Sequence, residues 1–248
     1  MKTYEKLLSL AAKKANYLCL IDPDKIDAKQ AKKYAQSCEN NGADGILVGG
    51  SLMLKNNFET NLKIIKESVS IPVLIFPGIF NFVSPHADAL LLLSVISSRN
   101  PQMLIGEHVR AAPLIYHYGL EAIGTAYMLI ESGNNTSVHF MSGSLPIPRN
   151  KSDIAVAHAL ASQYLGFKII YLDAGSGARH PIPNEMITKI KTFTNLPIIL
   201  GGGIKTPAEA AEKASAGADF IVTGDILEKQ WDESLIRDFA QAIHSVKR

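Results

Sequence analysis

Eight short, mostly apolar runs recur along the chain, and most are followed by a longer segment with the apolar spacing of an amphipathic helix. Continuous apolar runs are typical of strands buried on both faces, as in a parallel sheet covered by helices. The pattern therefore predicts alternating strands and helices. The expected strands are Tyr17–Ile21, Gly45–Val48, Val73–Phe76, Ala89–Leu93, Glu121–Ala126, Lys168–Leu172, Ile198–Leu200 and Phe220–Val222.

Eight such units in 248 residues favour a closed barrel over an open doubly wound sheet, because a (β/α)₈ barrel typically needs about 250 residues. We expect one TIM-barrel domain spanning residues 1–248. Between the third and fourth strands lies only Pro77–Ala87, with two prolines, which is about the shortest crossover that joins parallel strands. The third helix is therefore expected to be missing or irregular. A second irregularity is Leu129–Pro148, a long polar excursion typical of a functional lid or interface.

Composition excludes several classes of protein. Lysine and arginine number 25 against 23 aspartates and glutamates, so the net charge of +2 indicates no basic surface for nucleic acid. No apolar run approaches the roughly 20 residues of a membrane span. The two cysteines, Cys19 and Cys38, cannot build a disulfide framework and indicate a reducing compartment. A cytoplasmic enzyme is the expectation.

Glycine-rich segments follow the seventh and eighth strands. Leu200–Ala208 reads LGGGIKTPA and Ile221–Ile226 reads IVTGDI. Glycine lets backbone N–H groups approach an anion, and a following helix N-terminus adds a favourable dipole. A single such glycine more often only turns the chain. Finding both at the strand ends where barrels commonly bind phosphate favours a phosphate site.

The end of the sixth strand carries a third candidate, Tyr171–Ala178, which reads YLDAGSGA. Tyr171 and Asp173 are two residues apart and therefore point to the same face of the strand. Beside a phosphate loop, the Asp173 carboxylate could bind substrate hydroxyls or act as a general base. The alternative is that Asp173 only caps the turn.

Two carboxylates, Asp22 and Asp24, end the first strand in the sequence LIDPDK and are followed by Lys25. Mg²⁺ prefers a few carboxylate oxygens together with substrate phosphates, and Ser51 at the end of the second strand could add a hydroxyl. The alternative is a turn around Pro23. A cation site here and a phosphate site near strands six to eight imply two phosphorylated ligands.

Six segments together resemble the geranylgeranylglyceryl phosphate synthase family, and specifically its longer branch from archaea and some bacteria. They are LIDPDK, GILVGGS, SVISSRNP, YLDAGSGA, GGGI and TGD, beginning at Leu20, Gly45, Ser94, Tyr171, Gly201 and Thr223. The resemblance implies a barrel without a regular third helix. It also implies transfer of a prenyl group, with geranylgeranyl diphosphate as the favoured donor, to the 3-hydroxyl of sn-glycerol 1-phosphate in ether phospholipid biosynthesis.

The same resemblance assigns the site residues. Asp22 and Ser51 would ligate Mg²⁺, with Asp24 and Lys25 as further contacts to metal or diphosphate. The chemistry of the transfer itself favours Asp173, beside Tyr171, as the carboxylate that accepts the glycerol proton. The glycerol phosphate would be held by Tyr171, Leu172, Asp173, Ala174, Gly175, Ser176, Gly177, Gly202, Gly203, Gly224 and Asp225.

Two positions depart from the family, which usually has Glu at Asp173 and Asn at Asp225. The first shortens the carboxylate arm, and the second places negative charge near a phosphate. Two alternatives therefore stay open: another phosphate-binding barrel, an isomerase or cyclase independent of Mg²⁺, and a non-catalytic binder of phosphoglycerol or prenyl lipid. We further expect an apolar groove at Phe76–Phe82, a homo-oligomer formed through Arg99–Pro113, and transient contact with lipid.

Overall fold

A computed structural model describes residues 1–50, 52–78, 82–229 and 231–247. Within these ranges eight parallel strands close into a barrel, each strand pairing with the next and β8 with β1. The predicted (β/α)₈ fold is confirmed. The strands are β1 Asn16–Ile21, β2 Gly45–Val48, β3 Val73–Ile75, β4 Ala89–Val95, β5 Glu121–Leu129, β6 Ile169–Asp173, β7 Ile198–Gly201 and β8 Phe220–Thr223.

Helices surround the barrel and follow most strands. They are α1 Thr3–Ala11, α2 Ala28–Asn40, α3 Phe58–Glu67, α4 Glu107–Tyr118, α5 Ser137–Ser142, α6 Ser152–Tyr164, α7 Asn184–Phe193, α8 Pro207–Ser215, α9 Asp225–Lys229 and α10 Glu233–His244. None of the helices in the described ranges has the length and apolar content needed to cross a membrane.

Strand side chains alternate between two apolar layers, as the two-residue period of a strand requires. One layer fills the barrel interior and includes Leu18, Leu47, Leu91, Tyr171 and Phe220. The other packs between strands and helices. Tyr171 and Asp173 both point into the interior, as their spacing predicts.

Helix α1 closes the end of the barrel where the strands begin. Its Leu7 and Ala11 are buried in the interior layer. The carboxylate of Glu121 accepts hydrogen bonds from the N–H groups of Thr3 and Tyr4 at 2.6 and 3.2 Å, so it satisfies the free amides at the helix N-terminus. With this end sealed, ligands enter from the opposite end, where the strands finish.

The two irregular segments depart from helical cover in different ways. Among the described residues between β3 and β4, 76–78 and 82–88, none is helical, as expected. After β4, a π-helical turn at Gln102–Gly106 leads directly into α4, which continues through Pro113. The excursion after β5 contains α5 and returns to the barrel where Ile130 bridges Ile147.

Candidate active site

A cavity of about 750 Å³ opens at the carboxyl ends of the strands, where TIM barrels carry their active sites. Residues from the loops after β1, β2, β6, β7 and β8 line it together. The predicted residues that it brings together are Asp22, Lys25, Tyr171, Asp173, Ser176, Gly177, Gly202, Gly203, Gly224 and Asp225. The predicted residues that follow β1 and those that follow β6, β7 and β8 therefore line one cavity.

Four other predicted residues lie outside this cavity. Leu172 and Ala174 pack in the layer between strands and helices. Gly175 does not line the cavity, but its N–H donates to Asp173 Oδ1 at 2.7 Å. Asp24 accepts hydrogen bonds from the backbone amides of Leu54 and Lys55 at 3.1 and 2.6 Å, which fixes the loop after β2. The predicted ligand Ser51 lies outside the described residues.

The glycines after β7 have conformations that only glycine adopts easily. Gly202 and Gly203 have φ of +85° and +73°. A Cβ on Gly203 would lie 2.9–3.0 Å from the backbone of His180 and Pro181, and one on Gly202 would lie 2.7 Å from the amide nitrogen of Gly175. Because the backbone itself lines the cavity here, the turn suits an anion.

Asp173, like Asp22, is a buried carboxylate of the site. Its Oδ2 accepts a hydrogen bond from the Tyr127 hydroxyl at 2.5 Å, and its Oδ1 accepts from the Gly175 amide. Burial raises the pKa of the Asp173 carboxyl above its usual value, although both hydrogen bonds act to lower it. A carboxyl with a raised pKa in a cleft has the properties of a general base.

Asp22 and Lys25 face Asp173 from the β1 side of the cavity. Lys25 Nζ lies 3.3 Å from Asp22 Oδ2 and 2.5 Å from Glu228 Oε2 on α9. Partial burial lowers the pKa of Lys25, but the contacts with Glu228 and Asp22 outweigh it and leave that pKa raised. The ammonium therefore stays charged beside the cavity.

The donor set near Asp22 fits a divalent cation only in part. Among the described residues no group of three or more His, Cys, Asp or Glu side chains could hold a metal. Asp22 is buried, and a Cβ on Gly50 would lie 2.9 Å from its Oδ2, so the chain just before Ser51 passes against this carboxylate. One carboxylate completed by substrate phosphate oxygens is an arrangement that Mg²⁺ accepts.

A smaller apolar chamber of about 60 Å³ adjoins the cavity. Gly50, Phe76 and Asp173 line both spaces. The chamber's other lining residues are Pro77, Gly78, Leu93, Val95, Met103, Glu107, Tyr127, Val138 and Ser142. Only part of the segment Phe76–Phe82, where the groove was predicted, lines the chamber, namely Phe76 to Gly78. Residues 79–81 lie outside the described part of the chain. Phe82 instead packs on Phe58, with ring centroids 4.8 Å apart.

The sequence analysis missed Tyr127, Arg179, Lys205 and Glu228, which lie at the cavity or the chamber. Tyr127 lies one residue beyond the predicted end of β5, although the inward alternation Ile123, Thr125, Tyr127 pointed to it. The other three carry charge just after strand-end glycines or at a short helix, and no local pattern separates them from solvated surface residues.

Comparison with known proteins agrees with this geometry. The PcrB family matches residues 10–243. The geranylgeranylglyceryl phosphate synthase of Chitinophaga pinensis is 43% identical over 98% of this chain and 96% of its own, and that of Methanosphaera stadtmanae is 44% identical over 92% and 93%. The (S)-3-O-geranylgeranylglyceryl phosphate synthase of Thermoplasma acidophilum, solved with its substrate sn-glycerol-1-phosphate, superposes with a TM-score of 0.95 at 32% identity, covering 99% and 100% of the two chains.

Proposed function

The chain belongs to the PcrB family, and from that membership and the geometry of the cavity we propose that it is a prenyltransferase acting as a single 248-residue barrel domain. It transfers the prenyl group of a prenyl diphosphate, with geranylgeranyl diphosphate favoured, to the 3-hydroxyl of sn-glycerol 1-phosphate. The carrying observation is the position of Asp173, whose carboxylate borders both the polar cavity and the apolar chamber. A polar acceptor and an apolar donor would meet there.

Glycerol phosphate fits the side of the cavity formed by β6, β7 and β8. The turn at Gly202 and Gly203 presents backbone to the phosphate, and Gly224 lies in the neighbouring loop. Arg179 and Lys205 flank the same turn, and Lys205 Nζ donates to the Arg179 carbonyl at 3.2 Å. Their charge offsets that of Asp225, so the phosphate meets donors and cations on one wall.

Asp173 is placed to take the proton in the transfer step. The glycerol oxygen forms a bond to the first carbon of the prenyl chain while the bond from that carbon to diphosphate breaks, its electron pair leaving with the diphosphate. The hydroxyl proton passes to the Asp173 carboxylate. Buried surroundings keep bulk water from competing as the acceptor.

The diphosphate fits the side of the cavity formed by Asp22 and Lys25. Asp22, together with Ser51, would hold Mg²⁺, which when bound neutralises charge on the leaving diphosphate. The Lys25 ammonium adds a hydrogen-bond donor on the same side. Asp24 supports this region through the loop after β2, and its two backbone contacts favour that role over direct contact with metal.

Three further assignments complete the proposal. Helix α4 and the turn before it expose Ile105, Val109, Leu114 and Tyr116, and this exposed apolar surface suits a homo-oligomer. Cys19 and Cys38 are buried free thiols, which suits the reducing cytoplasm. Delivery of a long prenyl chain requires transient contact with lipid.

The test is incubation of the purified protein with Mg²⁺, a series of prenyl diphosphates, and each enantiomer of labelled glycerol phosphate. We expect label in an organic-soluble ether product that depends on Mg²⁺ and on sn-glycerol 1-phosphate. Binding of both ligands without product from any pairing would instead support a binding protein. Turnover of a sugar phosphate without Mg²⁺ would support the isomerase alternative.

A further inference from the structure

Tyr127 lies outside every set of residues that the sequence assigned to the site, yet it contacts the proposed base directly. It lies in β5, buried in the barrel interior, and its hydroxyl donates to Asp173 Oδ2 at 2.5 Å. We propose that Tyr127 is a positioning residue that holds the Asp173 carboxylate toward the glycerol hydroxyl. This inference rests on the proposed prenyl transfer and adds a residue to it.

The ring of Tyr127 has little freedom to move. β5 and β6 pair in a register that sets Tyr127 opposite Tyr171 and Leu129 opposite Asp173. The rings of Tyr127 and Tyr171 stack with centroids 5.6 Å apart, and Phe76 packs against both at 6.5 and 4.9 Å. The hydroxyl position is therefore set by strand register and ring packing, as preorganised catalytic geometry requires.

The contacts leave Asp173 free to act on substrate. One oxygen accepts from Tyr127 and the other from the Gly175 amide. An ionised carboxylate offers about four lone-pair sites, so roughly two remain toward the cavity. Both donors favour the ionised form, which a buried carboxylate needs in order to accept a proton.

The Tyr127 hydroxyl lies at the boundary between the two spaces of the site. Tyr127 lines the apolar chamber together with Asp173, so its hydroxyl binds the carboxylate where the chamber meets the polar cavity. A ring that served only to fill space would need no hydroxyl there.

Several other charged and titratable groups line the two spaces that Asp173 borders, and the Tyr127→Phe substitution leaves all of them in place. A difference between wild type and a Tyr127→Phe variant therefore isolates the contact. These groups line the cavity or the chamber and are Asp22, Lys25, Glu107, Tyr171, Arg179, Lys205, Asp225 and Glu228.

The kinetic test compares Tyr127→Phe with Tyr17→Phe. Tyr17 is an equally buried tyrosine that packs in the layer between strands and helices and lines neither the cavity nor the chamber; its hydroxyl hydrogen-bonds with Thr223 Oγ1 at 2.6 Å. For Tyr127→Phe we expect kcat to fall roughly 10- to 100-fold while KM for glycerol phosphate changes less than about threefold. The acid limb of the rate profile moves to higher pH, because the ionised carboxylate has lost a donor.

Tyr17→Phe should leave both kcat and the acid limb unchanged. Equal effects of the two substitutions, or an unchanged kcat and acid limb in Tyr127→Phe, would overturn the proposal. Phenylalanine keeps the ring volume, so the core of either variant stays packed.

A second measurement needs no turnover. Infrared difference spectra across a pH titration report the protonated carboxyl of Asp173, and an Asp173→Asn variant identifies its band. We expect the band to persist to higher pH in Tyr127→Phe than in wild type. Identical titrations would refute the positioning role. Absence of ether product from wild type would refute the proposed function alone, because the infrared titration still measures the contact.

Discussion

Exchange of Asp173 for asparagine should impair activity and stabilise the fold at the same time. Asparagine keeps the size of the side chain but cannot accept the glycerol proton. General-base catalysis contributes on the order of 10²- to 10⁴-fold, so we expect kcat to fall by that factor, equivalent to about 3–5 kcal/mol of transition-state stabilisation. KM for glycerol phosphate should change much less, since the amide still hydrogen-bonds.

The stability gain follows from the raised pKa of Asp173. Burial favours the protonated carboxyl in the folded state, so ionised Asp173 costs folding free energy near neutral pH. The contribution of this group is most favourable below the unfolded pKa of about 3.9 and is lost as pH rises through the raised folded pKa. Asparagine removes that cost, and its amide can accept from the Gly175 N–H and donate to the Tyr127 hydroxyl, so both buried contacts are kept. We expect a gain of about 0.5–2 kcal/mol at neutral pH, seen as a Tm higher by about 2–4 °C per kcal/mol.

Thermal unfolding at neutral and acid pH, together with steady-state kinetics, measures both effects. Asp44→Asn is the matched control, because it should change the stability of the fold in the opposite direction. Burial acts to raise the pKa of Asp44, but His244, the Tyr17 amide and Lys14 lower it overall. Asp44 therefore stabilises the fold above its unfolded pKa, and this contribution is lost as pH falls through the lowered folded pKa.

We accordingly expect Asp44→Asn to cost about 1.5–3 kcal/mol at neutral pH and to leave kcat unchanged. The reasoning about Asp173 fails if its asparagine variant is less stable than wild type at neutral pH, or if the stability difference is the same at both pH values. It also fails if kcat stays within tenfold of wild type.

Three other substitutions test other parts of the site. Gly203→Ala should raise KM for glycerol phosphate roughly tenfold or more, because the added Cβ would lie 2.9 Å from backbone atoms. Its control is Gly166→Ala, which is also at positive φ but in open space and should only lower Tm. Lys25→Met should raise KM for the prenyl diphosphate by roughly tenfold without changing that for glycerol phosphate; equal changes in both would contradict a separate diphosphate side. Phe76→Ala should alter the preference among prenyl chain lengths, while Phe82→Ala should only lower Tm, and the reverse result would move the chain out of the chamber.

Strand positions could be predicted closely because each apolar run is buried on both faces. All eight predicted strands start within one residue of the observed ones, but β5 extends three residues further than predicted. Its final residues, Tyr127 to Leu129, include a tyrosine whose polar group is satisfied only by a distant carboxylate. A contact between residues 46 positions apart leaves no pattern in the local sequence, so the end of β5 could not be predicted from it.

Helices α1 and α4 are hard to predict from the apolar pattern of the sequence, for different reasons. Helix α1 buries only Leu7 and Ala11, which is too few residues to show a helical period. Helix α4 contains Pro113, which normally ends a helix, and most of its apolar residues are exposed. In both cases the regular apolar spacing that predicts a helix is missing.

Sequence reasoning located the glycine turns of the candidate cavity but found only part of its charged residues. Glycine at a strand end is visible in sequence because few residues tolerate the required conformation, and Gly202 and Gly203 both have positive φ. By contrast, Lys25 acquires its partner Glu228 from a helix 203 positions away. Lys25 follows β1 and Glu228 follows β8, so the two side chains meet only because the barrel closes by pairing these strands.

The barrel uses carboxylates differently at its two ends. Where strands begin, Asp44, Asp88 and Asp219 each precede an even-numbered strand and accept from the first or second amide of the preceding strand, at 2.8 Å in all three cases. Each also contacts a lysine at 2.7–3.2 Å.

Where strands end, the carboxylates are less completely compensated. Asp173 is buried with hydrogen-bond donors but no ion pair within the described contacts, and Asp22 shares its lysine with Glu228. The ion pairs where strands begin lie at the closed end of the barrel, opposite the cavity. Where strands end, burial without a compensating ion pair raises the pKa of Asp173, and Asp22 keeps lone pairs for a cation.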